Sequence, residues 1–241
     1  MILHGLLGSA RNWHSIASKL AERLRIVVPS LRNHGDSPHG EHTVDAMCGD
    51  IVELMDALSH RQIALVGHSM GGMVAMKLAT EHPERVPSLV VADMGPAVQL
   101  QRLSPLFEAL NTLEVSKLQS RADADRQLAE YVSDHGIRQF LLQNLKRNQA
   151  GAFAWRCNLG ELTRFIRKAH GNFLPPEAVF AGPTLFIGGG RSEHAIGGQR
   201  ELISRHFPGY ELAILPDAGH WLHFDAPEQF TTMVSDFLSG V

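Results

Sequence analysis

The chain has 241 residues and a formal net charge of -3, and 44% of its residues are hydrophobic while 20% are charged. This length fits one domain with a sizeable core, and the scattered Lys and Arg residues argue against a nucleic-acid partner. No apolar run approaches the roughly 20 residues that cross a bilayer, so we expect no membrane span. The distant cysteines Cys48 and Cys157 favour a reducing compartment over a disulfide scaffold.

Short apolar runs bounded by turn residues predict strands that are buried on both faces. In chain order, these runs occupy residues 1–3, 25–28, 63–67, 88–93, 183–188 and 211–215. Between them lie amphipathic segments, of which the apolar positions from Val44 to Leu58 and from Phe230 to Phe237 follow helical spacing. This alternation predicts an α/β fold, with a mostly parallel sheet covered by helices.

The alternation stops between about residues 96 and 183, where the pattern offers several helical faces and no strand candidate. Apolar residues at helical spacing mark these faces: Leu103, Leu106, Phe107 and Leu110, then Leu128, Tyr131 and Val132, then Phe140, Leu141 and Leu145. We therefore predict one domain over residues 1–241, with a helical cap at 97–182 inserted after the strand that ends at Asp93. The cap is expected over the carboxyl edge of the sheet, although these helices could instead complete the scaffold.

The segment Gly67-His68-Ser69-Met70-Gly71-Gly72 follows a predicted strand and precedes a predicted helix. A strand, G-x-S-x-G and a helix in that order are typical of a nucleophile elbow, in which the serine sits on a strained turn with its hydroxyl exposed. Ser69 is therefore the candidate nucleophile. The flanking glycines fit this interpretation, because side chains there would collide with the neighbouring strand and helix.

A serine hydroxyl needs a base to take its proton and donors to stabilise the developing oxyanion. His220 follows the last predicted strand, the place of the histidine in the nucleophile-first chain order, and is the candidate base. The N–H of Met70, directly after the nucleophile, is one expected oxyanion donor. The turn His4-Gly5-Leu6-Leu7-Gly8 is expected to supply the other from the N–H of Leu6.

The 14 histidines invite a search for metal ligands. However, there is no HExxH motif, and the pairs His220/His223 and His39/His42 lack further ligands at metal-type spacing. Hydrolysis by an activated serine requires no cofactor. The sequence therefore predicts neither a metal nor a cofactor.

The motifs together resemble the α/β-hydrolase superfamily and, within it, the group of alpha/beta hydrolase domain-containing protein eleven with its bacterial esterase relatives. The resemblance spans the chain and rests on HGLLGS, RNHGDSPH at 32–39, GHSMGG, FAWRCNL at 153–159, GPTLFIGGG at 182–190 and DAGHWLH at 217–223. It implies a serine carboxylester hydrolase acting on acyl esters, diacylglycerol among them. It also implies mitochondrial residence and association with a 2-oxoacid dehydrogenase complex. The chain shows no targeting signal, so a cytoplasmic location is the alternative.

The acid of the triad stays open among three carboxylates. The family's usual position, after the penultimate strand, holds Ser192, and Glu193 is one residue away. The resemblance to bacterial relatives implies a second arrangement, in which the acid follows the strand after the nucleophile helix. We therefore favour Asp93 as the acid. The alternative is that the Asp93 carboxylate caps the next turn. Some relatives carry Asp in a third motif, where this chain has Gly160 followed by Glu161.

The rival hypotheses concern the beginning of the chain and the substrate. The α/β-hydrolase fold, which this chain resembles, normally has two further strands before the oxyanion strand. We therefore expect these N-terminal strands to be missing here. This would leave strand edges that invite association and would favour a weakly active or inactive binding protein. Alternatively, the same triad would cleave a thioester, amide or lactone, because the motifs do not fix the acyl group.

Overall fold

The computed structural model describes residues 1–194 and 196–240. The strands are β1 (Ile2–Leu3), β2 (Leu65–His68), β3 (Leu89–Ala92), β4 (Ala97–Gln99), β5 (Leu145–Arg147), β6 (Phe153–Trp155), β7 (His170–Asn172), β8 (Thr184–Gly189) and β9 (Tyr210–Leu215). The central sheet has 5 strands in the order β1-β2-β3-β8-β9. Each neighbouring pair in it is parallel.

The helices are α1 (His14–Leu20), α2 (Val44–Ala57), α3 (Met70–Glu81), α4 (Ser104–Thr112), α5 (Arg121–Leu128), α6 (His135–Leu142), α7 (Leu159–Lys168), α8 (Arg200–His206), α9 (Leu222–Asp225) and α10 (Pro227–Ser239). Helices flank the parallel sheet, and β1, β2, β3 and β8 are buried along their whole length. This explains why these strands are continuously apolar instead of alternating with polar residues. The predicted α/β architecture, with a parallel sheet covered by helices, is confirmed.

The predicted strand at residues 25–28 is wrong. This segment reaches the sheet through a hydrogen bond of 2.8 Å from the N–H of Ile2 to the carbonyl of Val27, and Ile26 and Val28 are partly buried against the hydrophobic core. β1 pairs with β2 along Ile2 and Leu3, whereas residues 25–28 form no strand in the structure. The apolar pattern at 25–28 therefore reports burial and not a strand.

The chain divides into two compact units, of which the first comprises Met1–Leu31, Thr43–Val98 and Gly171–Val241, and the second comprises Arg32–His42 and Gln99–His170. The second unit holds α4 to α7 and an antiparallel hairpin of β5 and β6, in register from Leu145 opposite Trp155 to Arg147 opposite Phe153. That the insertion at 97–182 acts as a cap stays a prediction.

The expectation that residues 96–183 contain no strands is wrong, since β4 to β7 lie there. These strands have 3 residues each, too few for a hydrophobic period to register in the sequence. Two predicted helical faces are also shorter than expected: α5 ends at Leu128, and α6 ends at Leu142, which leaves Leu145 to β5. In the described parts of the chain, we find no helix with the length and apolar content needed to cross a bilayer.

Candidate active site

Ser69 is the single residue between the end of β2 and the start of α3. Its φ of 53° and ψ of -120° lie in a region that L residues rarely adopt, at a cost of about 1–3 kcal/mol. Three backbone hydrogen bonds hold this conformation. The Ser69 N–H donates to the carbonyl of Ala92 at 3.0 Å, and the Ser69 carbonyl accepts from the N–H groups of Gly72 at 2.8 Å and Met73 at 3.1 Å. The backbone therefore fixes the position from which the hydroxyl projects.

The glycines on either side of Ser69 allow three backbone segments to pack against one another. A Cβ on Gly67 would collide with the carbonyl of Gly71, and a Cβ on Gly71 would collide with the carbonyl of Leu3. Both contacts are with backbone atoms, which cannot rotate away as a flexible side chain can. The close packing of β1, β2 and α3 at this point therefore requires glycine at both positions.

The turn that follows β1 packs directly against the nucleophile. It is closed by a hydrogen bond of 3.0 Å from the N–H of Gly8 to the carbonyl of Gly5, and Leu6 lies within it. A Cβ on Gly5 would come within 3.1 Å of the Cβ of Ser69, so glycine permits this approach. Met70 is the first residue of α3, and the structure thus brings the segments of both expected oxyanion donors, Leu6 and Met70, next to Ser69.

His4 holds this turn from inside the core. Its Nδ1 lies 2.8 Å from the carbonyl of Gly5, and its Nε2 accepts from the N–H of Leu31 at 2.9 Å. Only the neutral ring with its proton on Nδ1 satisfies both partners. Burial lowers the pKa of His4 from 6.5 to about 4, which is consistent with a neutral ring that braces the turn.

His220 follows β9 and meets a fully buried carboxylate. Its Nδ1 lies 2.7 Å from Oδ2 of Asp93, which follows β3 and is 0% exposed. The other carboxylate oxygen, Oδ1, accepts from the N–H of Gly189 at 2.9 Å, and Oδ2 also accepts from the hydroxyl of Ser192. Two donors, the N–H of Gly189 and the hydroxyl of Ser192, therefore hold Asp93 against the imidazole.

The other two candidate acids have different surroundings. Glu193 is exposed, while Glu161 belongs to the second unit and forms an ion pair with Arg164 on the same helix. Ser192 stands where the usual acid was expected, and it hydrogen-bonds Asp93. Among the described side chains, Asp93 is the candidate carboxylate that contacts His220.

Two histidines that the sequence analysis did not assign to the site surround His220. The Nε2–H of His68 donates to the carbonyl of His220 at 2.9 Å, and burial holds the pKa of His68 well below its usual value. The ring of His194 stacks on that of His220, with centroids 4.4 Å apart and planes at 27°. His68 could have been suspected from its place inside G-x-S-x-G, whereas nothing in the sequence pattern points to His194.

His223 lies three residues beyond His220 and packs against aromatic side chains of the first unit. Its ring stacks on Trp13 at 4.1 Å between centroids, with an interplanar angle of 15°, and meets His68 edge to face at 4.9 Å. Nothing in the sequence pattern assigns it to catalysis, and these contacts are those of a packing residue. The loop that carries His220 is thus held by the hydrogen bond from His68 to the carbonyl of His220 and by the packing of His223 on Trp13 and His68.

Known proteins resemble this chain in both sequence and fold. The family profile described as alpha/beta hydrolase fold matches residues 1–227. The chain is 38% identical over 248 residues to the "sn-1-specific diacylglycerol lipase ABHD11" of Mus musculus, covering 99% of this chain and 80% of that protein. It is 29% identical over 241 residues to "Esterase YbfF" of Escherichia coli, covering 99% and 92%.

A solved structure named "Marine microorganism esterase" superimposes with a TM-score of 0.94 at 31% identity, covering 98% of this chain and 93% of that one. This similarity extends over both compact units of the chain. The fold of this chain is therefore shared along almost its whole length with that esterase.

Proposed function

Because the chain belongs to the alpha/beta hydrolase family, grouped there with lipases and esterases, we propose that it hydrolyses carboxylic esters through Ser69, His220 and Asp93. The contact between Nδ1 of His220 and Oδ2 of Asp93, at 2.7 Å, is the observation that carries this proposal. A buried carboxylate on Nδ1 keeps the ring proton there and leaves Nε2 to accept the serine proton.

The reaction runs in two halves. Ser69 Oγ attacks the ester carbonyl while Nε2 of His220 takes its proton, and the imidazolium then protonates the departing alcohol, which leaves an acyl-enzyme. Water, deprotonated by His220, attacks the acyl carbonyl, and the imidazolium then returns the proton to Ser69 Oγ as the carboxylic acid leaves. The N–H groups of Leu6 and Met70 stabilise the oxyanion in both halves, a role for which one donor contributes about 2.7–4 kcal/mol.

The surroundings of Ser69 support this mechanism independently of the carboxylate. The positive φ of 53° at Ser69 is the strain expected at a nucleophile elbow, and the contact of Gly5 with Ser69 brings the turn of Leu6 beside the nucleophile. The hydrogen bond from His68 to the carbonyl of His220 supports the base through its main chain. These features favour an enzyme over a binding protein of the same fold.

The substrate class follows from the relatives and not from the triad. The name of the mouse relative specifies a diacylglycerol lipase, so we propose diacylglycerol or a similar acylglycerol as the substrate. Thioesters, amides and lactones could react at the same triad. Mitochondrial residence and association with a 2-oxoacid dehydrogenase complex stay predictions.

The test is turnover of p-nitrophenyl esters of increasing chain length by the wild type and by Ser69→Ala. The exposed Ser15 on α1 offers a matched serine control. We expect hydrolysis by the wild type and Ser15→Ala, and its loss in Ser69→Ala with unchanged circular dichroism. Ester hydrolysis that survives Ser69→Ala would refute the assignment. Parallel assays with diacylglycerol, a thioester and an anilide then define the substrate class.

A further inference from the structure

Three potential metal ligands meet beside the proposed nucleophile. One ligand atom from each of Asp93, His194 and His220 lies within 4.8 Å of the other two. They come from three separate segments, after β3, after β8 and after β9. Two imidazoles and a carboxylate form a ligand set that suits Zn²⁺. The sequence pattern does not reveal this set, because the three residues have no metal-type spacing.

His194 is the residue that distinguishes this cluster from the proposed triad. The mechanism does not use its ring, which nonetheless stacks on His220 at 4.4 Å between centroids. In a tetrahedral zinc site, the ligand atoms are about 3.4 Å apart. His194 is half-buried, and binding requires its ligand atom to move from within 4.8 Å of the other two atoms to that spacing.

We propose that Asp93, His194 and His220 bind a divalent transition-metal ion such as Zn²⁺ and that this ion inhibits ester hydrolysis. Asp93 is 0% exposed and held by donors from Gly189 and Ser192, so it forms the fixed side of the site. His220 is partly exposed, with 24% of its side-chain surface accessible, which gives an ion access from solvent. Three protein ligands leave a fourth position for water.

Inhibition follows whichever nitrogen of His220 binds the ion. An ion on Nε2 blocks the atom that accepts the proton of Ser69. An ion on Nδ1 moves the ring proton to Nε2, because a neutral imidazole bound to metal through one nitrogen carries its proton on the other. In both cases His220 is no longer a base. The inhibition rests on the proposed function, whereas binding of the ion does not.

Calorimetric titration of Zn²⁺ into the metal-free protein tests binding, and p-nitrophenyl ester turnover in the same buffer tests inhibition. We compare the wild type with His194→Gln and with His14→Gln, which removes an exposed histidine of α1. The wild type and His14→Gln should bind one strong equivalent of Zn²⁺ and lose turnover, which a chelator restores. In His194→Gln, both the dissociation constant and the half-inhibiting concentration should rise roughly tenfold or more.

Ser69→Ala tests the binding of Zn²⁺ separately from the inhibition of ester hydrolysis. This variant should bind Zn²⁺ as tightly as the wild type, because Ser69 is not a ligand, so binding can be measured even if the chain shows no ester hydrolysis. Equal Zn²⁺ affinity in the wild type and His194→Gln would overturn the metal site. Tight binding that depends on His194 but leaves turnover unchanged would overturn the inhibition.

Discussion

Oδ2 of Asp93 lies 2.7 Å from Nδ1 of His220, although 127 residues separate them in the chain. The sheet explains this contact: β3 and β9 flank β8, and because all three are parallel their carboxyl ends meet at one edge. The N–H of Gly189, the last residue of β8, donates to Asp93 from between them. The order of the strands therefore assembles the proposed acid and base.

Replacement of Asp93 by Asn should abolish most of the activity. An amide at this position would present a donor to Nδ1 or accept only weakly from it, which favours the wrong tautomer of His220. By analogy with other triads, we expect kcat to fall about 10,000-fold. Steady-state hydrolysis of a p-nitrophenyl ester measures this, with circular dichroism to check the fold.

Glu193→Gln is the matched control for Asp93→Asn, since it makes the same acid-to-amide change on an exposed side chain. We expect kcat within about twofold of the wild type, because Asp93 and not this exposed carboxylate contacts Nδ1 of His220. A large loss in Glu193→Gln, with activity retained in Asp93→Asn, would assign the acid to the other carboxylate.

Ser192→Ala should affect stability more than catalysis. Its hydroxyl donates to Asp93, and hydrogen bonds to charged groups contribute about 1.5–3 kcal/mol. Because Gly189 and His220 still contact the carboxylate, we expect kcat to fall less than about tenfold and the free energy of unfolding to fall by about 1.5 kcal/mol. Urea denaturation measures the latter. The control is Ser204→Ala, which removes an exposed hydroxyl that donates to the carbonyl of Glu201. This variant should change neither kcat nor the free energy of unfolding. Equal losses in both variants would contradict the stabilising role of the hydrogen bond from Ser192 to Asp93.

Gly71→Ala should destabilise the protein, because its methyl group would collide with the carbonyl of Leu3. Overpacking of this kind costs typically about 1–3 kcal/mol. The control Gly49→Ala lies on α2, where a Cβ meets nothing within 4 Å, and should raise the free energy of unfolding by about 0.5–1 kcal/mol. Thermal or urea denaturation measures both variants. The same direction of change in the two would contradict the close packing at the elbow.

Acid should destabilise the protein through His4. Burial lowers the pKa of His4 from 6.5 to about 4, so between these values the unfolded chain binds more protons than the folded one, and the free energy of unfolding falls as the pH falls. Between pH 7 and pH 5, protonation linked to His4 should lower the free energy of unfolding by about 2 kcal/mol.

The pH effect of His4 is isolated by comparing variants, since buried His68 acts in the same direction. Urea denaturation gives the free energy of unfolding at pH 7 and at pH 5. The decrease in this free energy between the two pH values should be about 2 kcal/mol smaller in His4→Gln than in the wild type. The exposed His14 gives the control His14→Gln, in which the wild-type difference should persist. An unchanged pH dependence in His4→Gln would contradict the neutral, bracing role of His4.

The local parts of the fold were predictable from the sequence. The buried strands around Val66, Val90 and Phe186 and the turn at Ser69 depend on neighbouring residues, so apolar runs and glycine positions reveal them. The segment at 25–28 and the hairpin at 145–155 were not predictable, because pairing decides them and an apolar run does not specify its partner. Three-residue strands also carry too little pattern to be recognised.

The motif residues of the candidate site were predictable from the sequence, but the contacts between them were not. The sequence identified Ser69 and His220 as candidates but left three carboxylates open, because hydrogen bonds across a sheet depend on strand order. The donors to Asp93 from Gly189 and Ser192, and the stacking of His194 on His220, follow from the meeting of three strand ends. Such contacts have no counterpart in sequence spacing.

The central claim is that Ser69 is a nucleophile activated by His220, and the most direct measurement is mass spectrometry of the full chain after reaction with a fluorophosphonate. We expect one adduct per chain, mapped by peptide analysis to Ser69, formed quickly in the wild type and absent from Ser69→Ala. Asp93→Asn should react far more slowly, because its His220 is held in the wrong tautomer. No adduct on the folded wild type, or an adduct that persists in Ser69→Ala, would contradict the account.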